Sequence, residues 1–331
     1  MLGKNDSEIG VLAAVGPADH PPGSKYDRLI ARAKEVPAGF TVVAYPCEET
    51  ALRGPIEAAE AGIITPIFVG PAATISRLAR EHGLDIGRYE IVDVPDSAAA
   101  AAKSVELVRA SKGEILMKGS LHTDELMREV TSSKTGLRTA RRISHVFIMD
   151  VPGHAETLFI TDAAINIFPD LDAKHDIVQN AIDLFTYAGL GTPRVAILSA
   201  VETVTTKIPS TIEAAALCKM ADRGQITGGL LDGPLAFDNA VDAEAARIKG
   251  IKSEVAGRGQ ILVVPDLEAG NMLAKNLIFL AKADSAGIVL GARVPIVLTS
   301  RADSVRSRMA SCAAAVLYAH ARRGSAALPA A

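Results

Sequence analysis

Between Pro295 and Arg308 an apolar run passes directly into a polar, cationic one, PIVLTSRADSVRSR. The pattern predicts a strand over Pro295 to Thr299, followed by a helix capped by Asp303 or Ser304. Capping accounts for those two residues but not for Arg301. A cation beside the positive end of a helix is disfavoured unless an anion is close by. Its guanidinium there reads as a bidentate clamp for a phosphoryl group.

Three other junctions carry polar or cationic groups. In Met117 to Thr123 (MKGSLHT), Gly119 permits close backbone approach, and N–H groups at the following helix start attract anions. The plainer reading is a tight turn with Thr123 as N-cap and Arg128 further along the helix. In Ser199 to Ser210 (SAVETVTTKIPS), Glu202 and Lys207 sit among threonines and serines that suit capping better than catalysis. In Pro265 to Lys275 (PDLEAGNMLAK), Gly270 and Asn271 open a helix. Lys275 follows one turn later on the side of Asn271, either meeting a ligand or snorkelling to water. The junctions offer Lys, Arg, Ser and Thr without clustered acids. The chain has no HExxH, CxxC, G-x-S-x-G elbow or Walker loop, and no GxGxxG after its first strand. A phosphate-rich ligand with no obligatory metal fits best.

These groups need a scaffold that aims them at one place. From Phe40 onward, short β-branched runs alternate with helical patterns. Such alternation predicts parallel strands joined by right-handed crossovers, with ligands bound beyond the carboxyl ends of the strands. A charged, turn-rich stretch, Thr131 to Arg142, breaks the rhythm and marks a boundary near Arg141. The 331 residues are 49% hydrophobic but only 4% aromatic, with no Trp, which suits helices packed on parallel strands. Length alone suggests roughly two domains. A net charge of −3 gives no basic field for nucleic acid. Three scattered cysteines, no secretory leader and no bilayer-length apolar run lead to the expectation of a cytoplasmic protein without a membrane partner.

Several strings keep a common order over roughly residues 115 to 308: Asp162 to Asn166 (DAAIN), Thr192 to Ser199 (TPRVAILS), Asp232-Gly233-Pro234 with Asp238, and Lys252 to Gly257 (KSEVAG). Pro265-Asp266, Ala269-Gly270-Asn271 and Ser300-Arg301 complete the set. In this set the chain resembles the phosphate acetyltransferase and butyryltransferase family. The resemblance implies a two-domain α/β fold like isocitrate and isopropylmalate dehydrogenases, with parallel sheets and an active site in the interdomain cleft. It implies a homodimer, a first domain of residues 1–139 plus 298–331, and a second of 140–297 that carries dimerisation and part of the cleft.

The implied reaction is acyl-CoA plus inorganic phosphate giving acyl phosphate plus coenzyme A. Coenzyme A is then a substrate rather than a bound cofactor, and no metal takes part. By the same resemblance Arg301 holds the phosphoryl group and Ser300 stabilises the oxyanion of the tetrahedral intermediate. Gly119, Ser120, Thr123 and Arg128 line the acyl phosphate and CoA site, with Asn271 and Lys275 beside the substrate. The sequence departs from the acetyl-specific pattern at Ser307, where an aspartate proposed as base for the CoA thiol is usual, which leaves Asp303 as the nearest carboxylate. Ala274 replaces a common aromatic. The loop Val201 to Pro209 and the string PIVLTSRADS look closer to the butyryl branch, so acetyl transfer is expected first and butyryl transfer second. A non-catalytic acyl-CoA-sensing domain is a further possibility. A metal-dependent dehydrogenase would need Asp150, Asp162, Asp232, Asp238 and Asp266 to converge.

Overall fold

A computed structural model describes residues 25–298 and 304–323, so Ser300, Arg301 and Asp303 lie outside the described residues. In chain order the first elements are α1 (Lys25–Ala33), β1 (Gly39–Ala44), α2 (Glu49–Glu60), β2 (Ile64–Gly70) and α3 (Ala72–Glu81). They continue through β3 (Glu90–Asp93), α4 (Ser97–Arg109), β4 (Ile115–Lys118) and α5 (Thr123–Thr131). Next come β5 (Ser144–Asp150), β6 (Leu158–Thr161), α6 (Leu171–Tyr187), β7 (Arg194–Leu198), α7 (Pro209–Asp222) and β8 (Leu230–Leu235). The chain closes with α8 (Phe237–Val241), α9 (Ala243–Ile248), β9 (Ile261–Val263), α10 (Leu267–Phe279), β10 (Asp284–Leu290), β11 (Ile296–Val297) and α11 (Val305–Arg323).

The strands form one sheet, in the order β3-β2-β1-β4-β11-β10-β5-β6-β9-β7-β8. Parallel pairing dominates, as alternation of strands and helices requires. The pairs β11–β10, β10–β5 and β5–β6 are antiparallel, which the expectation of purely parallel sheets did not include. For β11–β10 and β5–β6 the cause is short connections. Residues 291–295 and 151–157 cannot make a crossover, so the strands they join must turn back on one another. Three reversals leave β6, β9, β7 and β8 running opposite to β4. The loops that follow β4 and β9 therefore leave from opposite ends of the sheet.

Side-chain alternation sorts the core into layers. On one face Val43, Met117, Val146, Ile148, Phe159 and Val263 share a single cluster with residues from α1, α2, α3, α6, α7 and α11. The opposite face is divided. There Val42, Leu116, Ile296 and Val289 pack with Ala100 and Val105 of α4 and with Leu126 and Val130 of α5. Met149, Ile160, Ala196 and Leu262 pack separately with Ala240 of α8, Ala246 of α9 and Ala274 of α10. Between these two groups a seam runs along the middle strands, with α5 on one wall and α10 on the other. No described helix is long and apolar enough to cross a membrane.

Candidate functional site

At the end of the seam where β4 stops, the chain makes a close backbone crossing. The Gly119 N–H donates to the Ala44 carbonyl at 2.8 Å, and the Ser120 N–H to the Tyr45 carbonyl at 2.9 Å. A Cβ at residue 119 would lie 2.4 Å from the Ala44 oxygen, so only glycine fits. Ser120 Oγ also donates to Tyr45 O (2.8 Å) and accepts the Cys47 N–H (3.1 Å). Gly119 and Ser120 thus fasten this loop to the end of β1. Their amides are spent there, ahead of the helix start at Thr123. That helix begins one residue earlier than a Thr123 cap would require: His122 is the N-cap, without a side-chain hydrogen bond, and Thr123 is the first helical residue. Arg128, exposed on α5, lies 3.9 Å from Asp124.

From the other end of the sheet α10 rises along the opposite wall. Asp266, not Gly270 or Asn271, starts it, its carboxylate accepting the Ala269 N–H at 2.9 Å. Asn271 lies inside the first turns, its side-chain amide 3.4 Å from the Ala163 carbonyl, and exposed Lys275 follows one turn on. Thr123 and Arg128 are therefore on α5, which packs with one apolar group of the divided face, and Asn271 and Lys275 on α10, which packs with the other. Ser304 Oγ accepts the Ser307 N–H at 3.0 Å, which fixes the start of α11 just beyond the segment that carries Ser300 and Arg301. On the near side of that segment, Val297 pairs with Met117 of β4.

The turn at Asp162 to Asn166 spans the lower end of the seam, with Ala163 in one apolar group and Ile165 against the other. Asp162 Oδ1 accepts the N–H groups of Ala164 (2.9 Å) and Ile165 (3.1 Å), while Oδ2 accepts Asn166 Nδ2 at 2.6 Å. Asn166 Oδ1 in turn accepts Arg142 Nε at 2.8 Å. Here the turn borders a cavity of about 610 Å³ lined by Thr131, Arg138, Thr139, Arg142, Asn166 and Asp176 among others. That cavity sets Arg138, Arg141 and Arg142 against Asp170, Asp172 and Asp176.

Sequence reasoning did not single out His145 and Phe147, which alternation places on the same face of β5 as the seam. The His145 ring is 3% exposed and meets Phe147 edge-on at 4.4 Å, and its Nδ1 has no hydrogen-bond partner. Burial pushes its pKa down to about 4, partly opposed by the nearby Asp162 carboxylate. The ring is therefore neutral at ordinary pH. A histidine amid the apolar string SHVFIMD was the available signal.

The second junction serves structure. Glu202 accepts a hydrogen bond from Asn239 and lies 3.8 Å from Lys249, while Thr211 Oγ1 donates to Thr205 O and Ile208 O. Lys207 is exposed near the β7–β8 edge of the sheet. The five aspartates do not converge on a metal. Asp150 pairs with Lys25 at 2.9 Å, Asp162 is used by its own turn, Asp232 accepts the Gly233 N–H, and Asp266 caps α10. Among the described residues no three His, Cys, Asp or Glu side chains are grouped for a metal ion.

The family model described as "Phosphate acetyl/butaryl transferase" matches residues 94–316. The chain belongs to this family. It is 76% identical over 302 residues to the phosphate acetyltransferase of Rhizobium meliloti, covering 91% of this chain and 96% of that one. Identity to the phosphate butyryltransferase of Clostridium beijerinckii is 41%, over 89% of this chain and 97% of that one. The crystal structure of a branched-chain phosphotransacylase from Enterococcus faecalis matches with a TM-score of 0.74 at 31% identity, covering 85% of this chain and 99% of that one. The acyltransferase family and the mixed α/β fold expected from the resemblance are those found.

Proposed function

We infer that this member of the phosphate acetyl/butyryl transferase family moves an acetyl group reversibly between coenzyme A and inorganic phosphate, with the seam as its transfer site. The observation that carries the reading is the high identity, over nearly the whole of both chains, to a phosphate acetyltransferase. The exposed cations Arg128 on α5 and Lys275 on α10 support it. In the acyl phosphate direction, the CoA thiol sulfur attacks the acyl carbonyl carbon, a C–S bond forms and the C–O bond to phosphate breaks. Arg301 holds the phosphoryl group that leaves as phosphate, Ser300 donates to the carbonyl oxygen as it becomes an oxyanion, and Asp303 takes the thiol proton. Gly119 and Ser120 anchor the loop, while Thr123, Arg128, Asn271 and Lys275 stand along the walls for the phosphates of coenzyme A and acyl phosphate. No metal or resident cofactor enters this scheme.

Residues 1–139 with 298–331 and residues 140–297 then act as two domains, each supplying one wall of the seam. The apolar group of α8, α9 and α10 lies wholly within residues 140–297 and supports that division, although Ile143, Val289, Ala292 and Ile296 of the same stretch pack with α4 and α5. A homodimer is supported by exposed apolar side chains near α10: Met272 (61% exposed), Phe279 (67%), Leu280 (78%) and Phe168 (77%). Three free thiols, Cys47, Cys218 and Cys312, suit the reducing cytoplasm.

The test is thiol release from acetyl-, propionyl- and butyryl-CoA with and without phosphate, followed by a thiol-reactive dye. Phosphate-dependent release ranked highest for acetyl-CoA is expected. Butyryl-CoA ranking first would transfer the chain to the butyryl reading suggested by PIVLTSRADS. No release from a folded protein that binds coenzyme A would contradict catalysis and favour an acyl-CoA-sensing domain.

A further inference from the structure

Among the described residues His145 is the imidazole on the divided face of β5, and nothing assigned above uses it. Neighbouring β5 residues on both faces are apolar: Val146 and Ile148 toward the continuous core, Phe147 and Met149 toward the seam side. An apolar residue at 145 would satisfy that environment at no polar cost. A buried ring nitrogen without a partner instead loses its hydration with nothing in return. Such a group in a native structure calls for a specific explanation.

The neighbours narrow the explanation. The backbone of His145 is fixed, because Thr161 Oγ1 donates to its carbonyl at 2.8 Å. Asp162 does not serve the ring. Its carboxylate is taken by the N–H groups of residues 164, 165 and 166 and by the Asn166 amide. On the other side lies Gly287 of β10. A Cβ there would come within 2.8 Å of His145 Nε2 and 3.5 Å of the Leu298 carbonyl. The missing side chain at 287 lets the ring lie across β10 toward Leu298. That residue directly precedes Thr299, Ser300 and Arg301 in the sequence.

We propose that His145 contacts the substrate, its imidazole hydrogen-bonding an oxygen of the acyl phosphate bound in the seam. A neutral ring offers one N–H donor and one acceptor nitrogen. Burial keeps it in that form, so it adds directional donation beside an already cationic site without further charge. A site closed to water also strengthens that bond. The proposal rests on the reading of the seam as the transfer site and adds a residue to it.

The experiment compares wild type with His145→Phe, His145→Asn and His145→Gln, using acetyl phosphate and coenzyme A. Phenylalanine fills similar space without nitrogen, whereas the amides place a polar group near Nδ1 or Nε2. For His145→Phe we expect kcat/KM for acetyl phosphate to fall roughly ten- to a hundredfold, the scale of one lost hydrogen bond of 1.4–2.7 kcal/mol. The KM for coenzyme A should stay within about twofold and the melting temperature should not fall. One amide variant should recover part of the loss. His145→Phe with kcat/KM near wild type would overturn the proposal, as would two amides no better than phenylalanine. A second measurement does not depend on any variant being active. The imidazole ¹⁵N resonances of His145 in the wild-type protein should shift when acetyl phosphate is added without coenzyme A, and no shift overturns the proposal. A wild type without phosphate-dependent thiol release would defeat the transfer reading itself. An active wild type with an indifferent His145 defeats only this inference.

Discussion

On one face of the sheet, helices α1, α2, α3, α6, α7 and α11 close over a single apolar cluster, while on the other two smaller groups leave the middle strands between them. Polar groups under the continuous layer tie elements together. The Tyr26 hydroxyl donates to the Ile148 carbonyl at 2.5 Å, and Lys25 reaches the Asp150 carboxylate and the carbonyls of Val151 and His154. On the divided face His145 Nδ1 has no partner, and under the continuous layer Asp150 Oδ2 and Asn180 Oδ1 likewise have no hydrogen-bond partner. Strand β5 thus packs its even-numbered residues into the continuous cluster and turns its odd-numbered ones to the divided face. Lost contacts should cost folding on the first face and turnover on the second.

The sharpest separation comes from Arg301, which lies outside the described residues but is assigned to the seam. Arg301→Ala should lower kcat/KM by roughly a thousandfold, the scale of losing a positioned donor to developing charge, with an unchanged melting temperature. A fall in stability instead would blur the division. On the covered face, Phe159 and Phe185 meet edge to face at 5.1 Å, both buried. Phe159→Ala should cost about 3–5 kcal/mol in denaturant unfolding while the folded fraction keeps its specific activity. Asp150→Asn leaves the buried Lys25 ammonium without its counter-charge. It should cost about 3 kcal/mol, again with turnover retained; a loss of turnover would place Asp150 in the site.

A smaller effect follows from pH. The folded pKa of His145, about 4, lies below its ordinary value of 6.5 because burial disfavours the charged ring. The contribution of the neutral ring to stability is complete above about pH 6.5 and is lost as pH falls toward 4, since the unfolded chain takes up the proton first. Wild type should therefore lose stability relative to His145→Phe across that window. Parallel stability curves would mean that the ring is not held neutral.

Much of the scaffold was legible because β1, β2, β4, β5 and β7 are short β-branched runs bounded by turn residues. Two strands were hidden. LLDGPL carries Asp232-Gly233-Pro234, which reads as a turn, yet it pairs with β7 as β8. DSAGIVL follows the apolar end of α10 so closely that the helix and β10 merge into one pattern. The reversals of direction could be inferred only from connection lengths, once both hidden strands were known. The loop after β4 was singled out by the rule that ligands bind beyond strand ends. The spending of its amides on β1 carbonyls is a tertiary contact that no local pattern reports. Arg301 stood out because a cation before a helix needs an anion. His145 did not, because a single histidine in an apolar strand ordinarily belongs to the core.

The claim that transfer takes place in the seam is tested most directly by amide hydrogen exchange with and without coenzyme A and phosphate. Protection should rise in peptides covering residues 118–128, 144–147, 267–275 and 299–303, and stay unchanged in α6 and α7 beneath the covered face. Protection confined to the covered face, or absent from both walls of the seam while coenzyme A is bound, would contradict it.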